Sequence, residues 1–360
     1  MKWNPNQAQL SLEPGDLAVM AQCKMPVTEM FQRAHHNKNI PPLWSVLSYT
    51  MLQRSGDSKE IWEHYRHLKA MAENTQGWYR QCLLPKANGG IRVLSVPMYQ
   101  LRDQQERILC GILRGLPVSN HAYAYCRGRS IADCARPHTG HDLLIRLDIK
   151  DFFGSITEDM VYTMLYRETG YAKSLCRFLA RLCCLKGRLP QGAPTSPILS
   201  NLVFYPCDEA LFALARKHGM HYTRYSDDLF FSGKESTNIR AFMLEATGIL
   251  LRHGFFLNRD KTKVLRRQHR QSVLGITVND HPQVSRDYRR KLRQELYYLE
   301  KFGPNCKGAL ELGDYWKYMQ QLQGKLSYLL QIDPNNDDWW EAHLMLTIRM
   351  RRYARFHRVY

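Results

Sequence analysis

The segment His221–Gly233, HYTRYSDDLFFSG, sets two adjacent aspartates into a run of strand-forming residues. Aspartate is a poor strand residue, and neighbouring carboxylates repel each other. Taken alone, the segment reads as a hairpin with Asp227 and Asp228 at its tip, where aspartate suits a turn. A second acid changes that reading. Asp148 ends the apolar run of DLLIRLDIKDFFGSI (Asp142–Ile156), which has the continuous hydrophobicity of a buried central strand. A carboxylate at a buried strand end is costly unless something neutralises it. If the two strands are neighbours, Asp148, Asp227 and Asp228 converge with no compensating local base. Such a site suits a hard divalent cation, with Mg²⁺ the best fit. A pair of such ions is the arrangement for in-line phosphoryl transfer.

The chain's charge agrees with a phosphate-bearing partner. Lys and Arg number 51 against 33 acidic residues, a formal charge of +18 over 360 residues. Nucleic acid is the leading partner implied. An anionic membrane surface is the rival, but the basic residues run the whole length of the chain rather than lining one amphipathic helix. No run of 18 apolar residues is present, and the first residues, MKWNPNQAQLSLEPGD, lack an apolar signal core. A cytoplasmic location is the expectation. The ten cysteines form no C-x-x-C pair and read as reduced, small apolar residues.

Residues 1 to about 80 read as helical with loops, including IWEHYRHLKAM (Ile61–Met71). LPKANGGIRVLSVP (Leu84–Pro97) reads as two short strands around an Asn-Gly-Gly turn, followed by a helix over Tyr99–Leu116. Ser196 and Pro197 are placed to start a helix that Gly219 ends. Another helix is expected near Asn238–His253, then short strands to Asn279, and from Arg286 onward only helices.

Three boxes in this order carry a resemblance. Tyr225-Ser226-Asp227-Asp228 resembles the Y-x-D-D box of reverse transcriptases, LDIKDFF resembles their first palm motif, and LPQGAPTSPILSNL (Leu189–Leu202) resembles their L-P-Q-G-x-x-x-S-P loop. The resemblance covers roughly residues 80 to 280. It implies an α+β right-hand polymerase fold, with fingers, a palm bearing an antiparallel sheet, and a helical thumb. The implied division is a helical extension over 1–80, fingers and palm over 81–285, and the thumb over 286–360.

Carried over residue by residue, the resemblance makes Asp148 and Asp227 the principal ligands of two Mg²⁺ ions, with Mn²⁺ a possible substitute. The Ile149 backbone joins them, and Asp228 is a weaker or structural partner. Phe153 stands where the family places a steric gate against the ribose 2′-OH, with a plain core ring as the alternative. Gln191 and Gly192 would lie against the incoming deoxynucleoside triphosphate, where glycine permits close backbone approach. Arg92 and Lys86 would grip the triphosphate, Arg as a fork and Lys as a point charge. Lys261, in LNRDKTKV, would serve the pyrophosphate leaving group or stand as a surface lysine.

Two stretches resemble the bacterial retron group. ADCARPHTG (Ala132–Gly140) is similar to its N-A-x-x-H box, with Cys134 in place of asparagine and His138 kept as a candidate for RNA binding or as a core histidine. VLGITVN is similar to its V-T-G box with Leu274 in place of threonine, and Ser226 replaces the alanine common in the Y-x-D-D box. The compact length fits as well. A retron enzyme would bind one structured noncoding RNA, prime from an internal guanosine 2′-OH and make a branched RNA–DNA product. It would act with an effector protein in antiphage defence, with no membrane involved. Other bacterial reverse transcriptases, a non-catalytic RNA-binding scaffold and an RNA-templated RNA polymerase are the alternatives.

Between Lys261 and Arg293 stand ten Lys/Arg, with Asp280 and Asp287 as opposing acids. The stretch reads as a duplex-backbone track, with Arg286, Arg289, Arg290 and Arg293 as RNA-binding candidates, or as a solvated helix face. The terminal RMRRYARFHRVY, with Arg351 and Arg352, suits stacking on RNA loops or a helix with its rings packed inward.

Overall fold

A computed structural model of the chain describes residues 58–85 and 89–357. Helix α1 (Ser58–Glu73) leads into strands β1 (Tyr79–Pro85) and β2 (Ile91–Pro97), then helix α2 (Tyr99–Gly111). A short helix α3 (Ile131–Ala135) precedes β3 (Leu143–Asp148), α4 (Phe152–Ser155), α5 (Glu158–Thr169) and α6 (Lys173–Cys183). Next come α7 (Ser196–Lys217), β4 (His221–Tyr225), β5 (Asp228–Gly233) and α8 (Ile239–Arg252). Strands β6 (Lys263–Arg266), β7 (Ser272–Val273) and β8 (Ile276–Thr277) follow. Helices α9 (Arg286–Phe302), α10 (Lys307–Leu312), α11 (Tyr315–Ile332) and α12 (Asp337–His357) complete the described chain.

The caps behave as local chemistry requires. Ser285, Asn238 and Thr157 each accept a hydrogen bond from the third residue of the helix they open. Ser196, expected as a cap, is the first residue of α7 instead, with Pro197 in the first turn and left-handed Gly219 (φ 64°) just past its end. Helix α7 is long and apolar enough to cross a membrane by composition alone, which the sequence reading did not anticipate. More than half of that window is buried in protein, as a core helix would be. The expected helical extension before residue 80 lies largely outside the described residues.

The chain divides into two compact units, each drawn from two stretches. The first combines Met1–Ser119 with Lys150–Pro206. In it β1 and β2 pair antiparallel from Tyr79↔Pro97 to Pro85↔Ile91. Helices α2 and α6 are joined by buried Gln105, whose amide donates to the Leu182 carbonyl at 2.8 Å.

The second unit combines Asn120–Ile149 with Cys207–Tyr360 and holds a four-stranded antiparallel sheet of order β4-β5-β3-β6. Because side chains alternate across a strand, the register sorts them into two faces. One carries Leu143, Ile145, Leu147, Leu229, Phe231, Tyr222 and Arg224. Phe231 meets Phe242 of α8 edge-on at 4.9 Å, and the Tyr222 hydroxyl donates to Asp208 of α7 at 2.7 Å. The other carries Leu144, Arg146, Asp148, Asp228, Phe230, Ser232 and Thr223. Leu144 and Phe230 join one apolar core with α3 residues Ala132 and Ala135, with Val273 and Ile276, and with Leu292, Met319 and Leu322. The helices after Arg286 thus share a core with the sheet.

One ion pair is wholly enclosed. Arg224 and Asp208 are both fully buried, and the guanidinium donates to both carboxylate oxygens at 2.8 and 2.7 Å. Burial opposes the Arg224 charge, but Asp208 more than restores it and holds the group protonated. Removing one partner of such a pair strands a buried charge. Asp208→Ala should therefore cost about 3–5 kcal/mol in chemical denaturation, whereas an Asp208→Leu, Arg224→Met double replacement should cost clearly less.

Candidate active site

Strand register brings the acids together. Asp148, the last residue of β3, stands directly opposite Asp228, the first of β5. Asp227 lies beside them in the two-residue connection between β4 and β5, and its carbonyl accepts from the Ile149 N–H at 3.0 Å. The Asp148 carbonyl accepts from the Asn258 N–H at 2.8 Å, which ties the segment before β6 to the strand end. Asp148 is buried, and Asp227 and Asp228 are partly so.

The expectation of an acid cluster without local bases is corrected by the structure. Arg146 forks onto Asp228, its Nε donating to Oδ1 at 3.0 Å and Nη2 to Oδ2 at 3.1 Å. Lys261 donates to Asp148 Oδ2 at 3.0 Å. Burial raises the Asp228 pKa above the ordinary carboxylate value; Arg146 pulls the other way, and the charges of Asp227 and Asp148 add to the rise. Among the described residues no three acidic, histidine or cysteine side chains are grouped so as to hold a metal ion, and Asp228 is engaged by Arg146. What remains is Asp148 and Asp227. Two carboxylates completed by water and phosphate oxygens are the ordinary protein contribution to a Mg²⁺ site, so the donor set fits that ion.

The connection carrying Asp227 is braced from within its own unit. Ser226 adopts a left-handed backbone (φ 58°) that non-glycine residues seldom take. Its carbonyl accepts from Arg224 Nη1 at 3.2 Å, and its hydroxyl pairs with the Tyr125 hydroxyl at 3.1 Å. Sequence reasoning missed Arg146, Arg224, Asp208 and Tyr125. For Arg146 a signal existed: it lies two residues before Asp148 and so on the same strand face.

Residues 84–278, more than half of the chain, match the family model described as reverse transcriptase (RNA-dependent DNA polymerase). The chain belongs to the reverse transcriptase family. Its fold is the right-hand polymerase fold of that family, and its similarities point to the retron branch. It is 36% identical over 269 residues to the retron Mx65 reverse transcriptase of Myxococcus xanthus, a match covering 70% of this chain and 60% of that protein. The retron Mx162 reverse transcriptase of the same organism is 30% identical, with 72% and 59% covered. The retron Ec86 reverse transcriptase of Escherichia coli is 28% identical, with 68% and 72% covered. The chain thus matches about three fifths of the length of the two Myxococcus relatives.

The remaining family positions fall as follows. In the first unit, Phe153 is partly buried in α4, edge-on to Phe152 at 5.6 Å. The Gln191 carbonyl accepts from the Ser95 N–H at 2.7 Å. Gly192 (φ 119°) does permit a close approach, but to β2: a Cβ there would stand 2.7 Å from the Ser95 carbonyl oxygen. Arg92 is exposed on β2 opposite Leu84, and Lys86 lies outside the described residues. In the second unit Arg286, Arg290, Arg351 and Arg352 are exposed, Arg289 is half-buried, and Arg293 lies over the Trp339 ring at 5.0 Å. Tyr353 packs inward against Tyr315 and Trp316, whereas Phe356 faces solvent.

His138 is the clearest departure from expectation. It is fully buried, with Nδ1 at 2.7 Å from the Ser232 hydroxyl and Nε2 at 2.7 Å from the Thr223 hydroxyl. With both nitrogens engaged beneath the sheet, it cannot contact RNA and is a core histidine. Burial pushes its pKa down to about 3, with His221 and His141 adding to the shift. The folded ring therefore stays neutral, while in the unfolded chain it gains a proton below about pH 6.5. The stability that follows from this is fully present above that pH and is lost as pH falls from 6.5 towards 3. Relative to His138→Gln, the wild type should lose about 1.4 kcal/mol per pH unit below 6.5. Denaturant titrations of both proteins at pH 7.5 and 5.5 measure the difference.

Proposed function

We propose that this chain is an RNA-templated DNA polymerase of a retron. In this reading it copies part of a structured noncoding RNA, begins from a guanosine 2′-OH, and leaves a branched RNA–DNA product. The observation that carries the reading is the pairing of Asp148 with Asp228 around the Tyr225–Asp228 box, in a chain whose relatives bear retron names. Asp148 and Asp227, with the Ile149 backbone, would hold two Mg²⁺ ions, or Mn²⁺ in their place. When bound, such ions lower the pKa of an attacking hydroxyl and neutralise charge developing on the phosphates.

The chain's own groups would complete the reaction. Lys261, exposed yet within hydrogen-bond distance of Asp148, would hold a proton for the departing pyrophosphate. Arg92 and Lys86 would grip the triphosphate of the deoxynucleotide, and Gln191 and Gly192 would form part of its bed. The exposed cations Arg286, Arg290, Arg351 and Arg352, with Arg289 and Arg293, would track the RNA and its hybrid, with affinity falling steeply as salt rises. The complex would act in the cytoplasm with an effector protein in antiphage defence.

Phe153 would close the space that a ribose 2′-OH needs. Phe153→Ala or Phe153→Val should raise ribonucleotide incorporation in primer extension by at least about tenfold, equivalent to ~1.4 kcal/mol of discrimination. Unchanged sugar selectivity would remove the gate from the account. The function as a whole is tested by sequencing nucleic acid that copurifies with the protein. DNA joined to a short RNA through a 2′,5′ linkage is expected, and purely random cellular RNA would sink the retron reading.

A further inference from the structure

Three carboxylates and two bases meet at the end of the sheet, but the bases are not equivalent. Lys261 reaches Asp148 through a single contact, from a side chain that is 59% exposed. A long exposed lysine makes a point contact that water and phosphate can displace. Arg146 is held differently. On β3 it faces the same way as Asp148, and it pairs across the sheet with Phe230, so its guanidinium reaches diagonally to Asp228. The guanidinium carbon lies 6.0 Å from the centre of the Phe230 ring and the fork makes two hydrogen bonds. The Asp228 side chain is only 16% exposed. A planar fork on a mostly buried carboxylate does not exchange as a lysine does.

We propose that Arg146 is a positioning residue that withholds Asp228 from the metal-ligand set, leaving Asp148 and Asp227 to hold the ions and setting how tightly they bind. The adjacent aspartates then have different duties. Asp227 is a ligand, and Asp228 is half of an internal ion pair that fixes the end of β5 against β3. Without Arg146 the site gains one unneutralised carboxylate beside the other two. Cations should then bind more tightly, because a third unneutralised carboxylate adds to their attraction. The proposal rests on the reading that Asp148 and Asp227 hold divalent ions.

The test is Mn²⁺ binding to the full-length protein without nucleic acid or nucleotide, followed by electron paramagnetic resonance. Arg146→Gln should tighten Mn²⁺ binding by about tenfold, and Asp227→Asn should weaken it by a similar factor. The double variant Arg146→Gln, Asp228→Asn, which removes one charge of each sign, should return to within about threefold of wild type. In EDTA, Arg146→Gln should melt below wild type, and adding Asp228→Asn should recover part of that loss. Arg146→Lys, which keeps the charge but not the fork, should fall between wild type and Arg146→Gln in both measurements.

Unchanged or weaker Mn²⁺ binding in Arg146→Gln would overturn the proposal. So would loss of binding in the double variant as large as in Asp227→Asn, since Asp228 would then be a ligand itself. Wild-type protein that fails to bind Mn²⁺, or binds it equally well as Asp227→Asn, would overturn both this proposal and the metal reading beneath it.

Discussion

The hydrogen-bonded register of β3 against β5 is the constraint from which the site follows. Pairing Leu143 with Gly233 at one end obliges Asp148 to face Asp228 at the other. A slip of one residue would send every side chain of one strand to the opposite face. Asp148 and Arg146 would then point into the layer that holds Phe231 and Phe242, where no water or cation could reach them. The apolar residues that hold this register are therefore as necessary to the chemistry as the acids. Leu143, Leu144, Ile145 and Leu147 are at most 1% exposed, so the strand is packed on both faces.

The two faces of the sheet manage charge in contrasting ways. On one, Arg224 and Asp208 are sealed from solvent and matched in full, and the Tyr222 hydroxyl adds to the same carboxylate. That pair has no access to ligand. It contributes through its third contact, in which Arg224 donates to the carbonyl of Ser226 and so holds the left-handed backbone that delivers Asp227. On the other, the charges sit at an accessible strand end and are only partly matched. Complete neutralisation suits a support, and incomplete neutralisation suits a group meant to meet a cation.

Much of this was legible in the residues, because it is written locally. The hairpin around Asp227, the strand ending at Asp148, the β1–β2 pair and the helices opened by Asn238 and Ser285 each follow from a pattern a few residues long. What escaped is written between elements. Arg146 reads as an interruption of an apolar run until β5 is placed beside it, and Asp208 reads as a polar turn of α7 until Arg224 faces it. Gly192 stands close against the backbone of Ser95, about a hundred residues earlier, a contact no local pattern announces. His138 was misread because a histidine's chemistry is visible in sequence and its burial is not.

The three positions at which this chain departs from the retron boxes obey the same logic. Cys134 lacks the amide it replaces, yet its sulfur lies 3.2 Å from the hydroxyl of Thr223, which His138 also holds. Burial pushes that thiol up to about 12, so it stays neutral and acts as a small core residue with one polar contact. Leu274 occupies a two-residue connection in which both it and Gly275 have positive φ (51° and 86°), a conformation costing a side-chain-bearing residue roughly 1–2 kcal/mol. Its side chain is partly buried against the core shared by the sheet and the helices after Arg286, and that burial offsets the strain. Ser226 carries similar backbone strain and gains a hydroxyl contact with Tyr125. Each substitution gives up something local and recovers it from a partner distant in sequence.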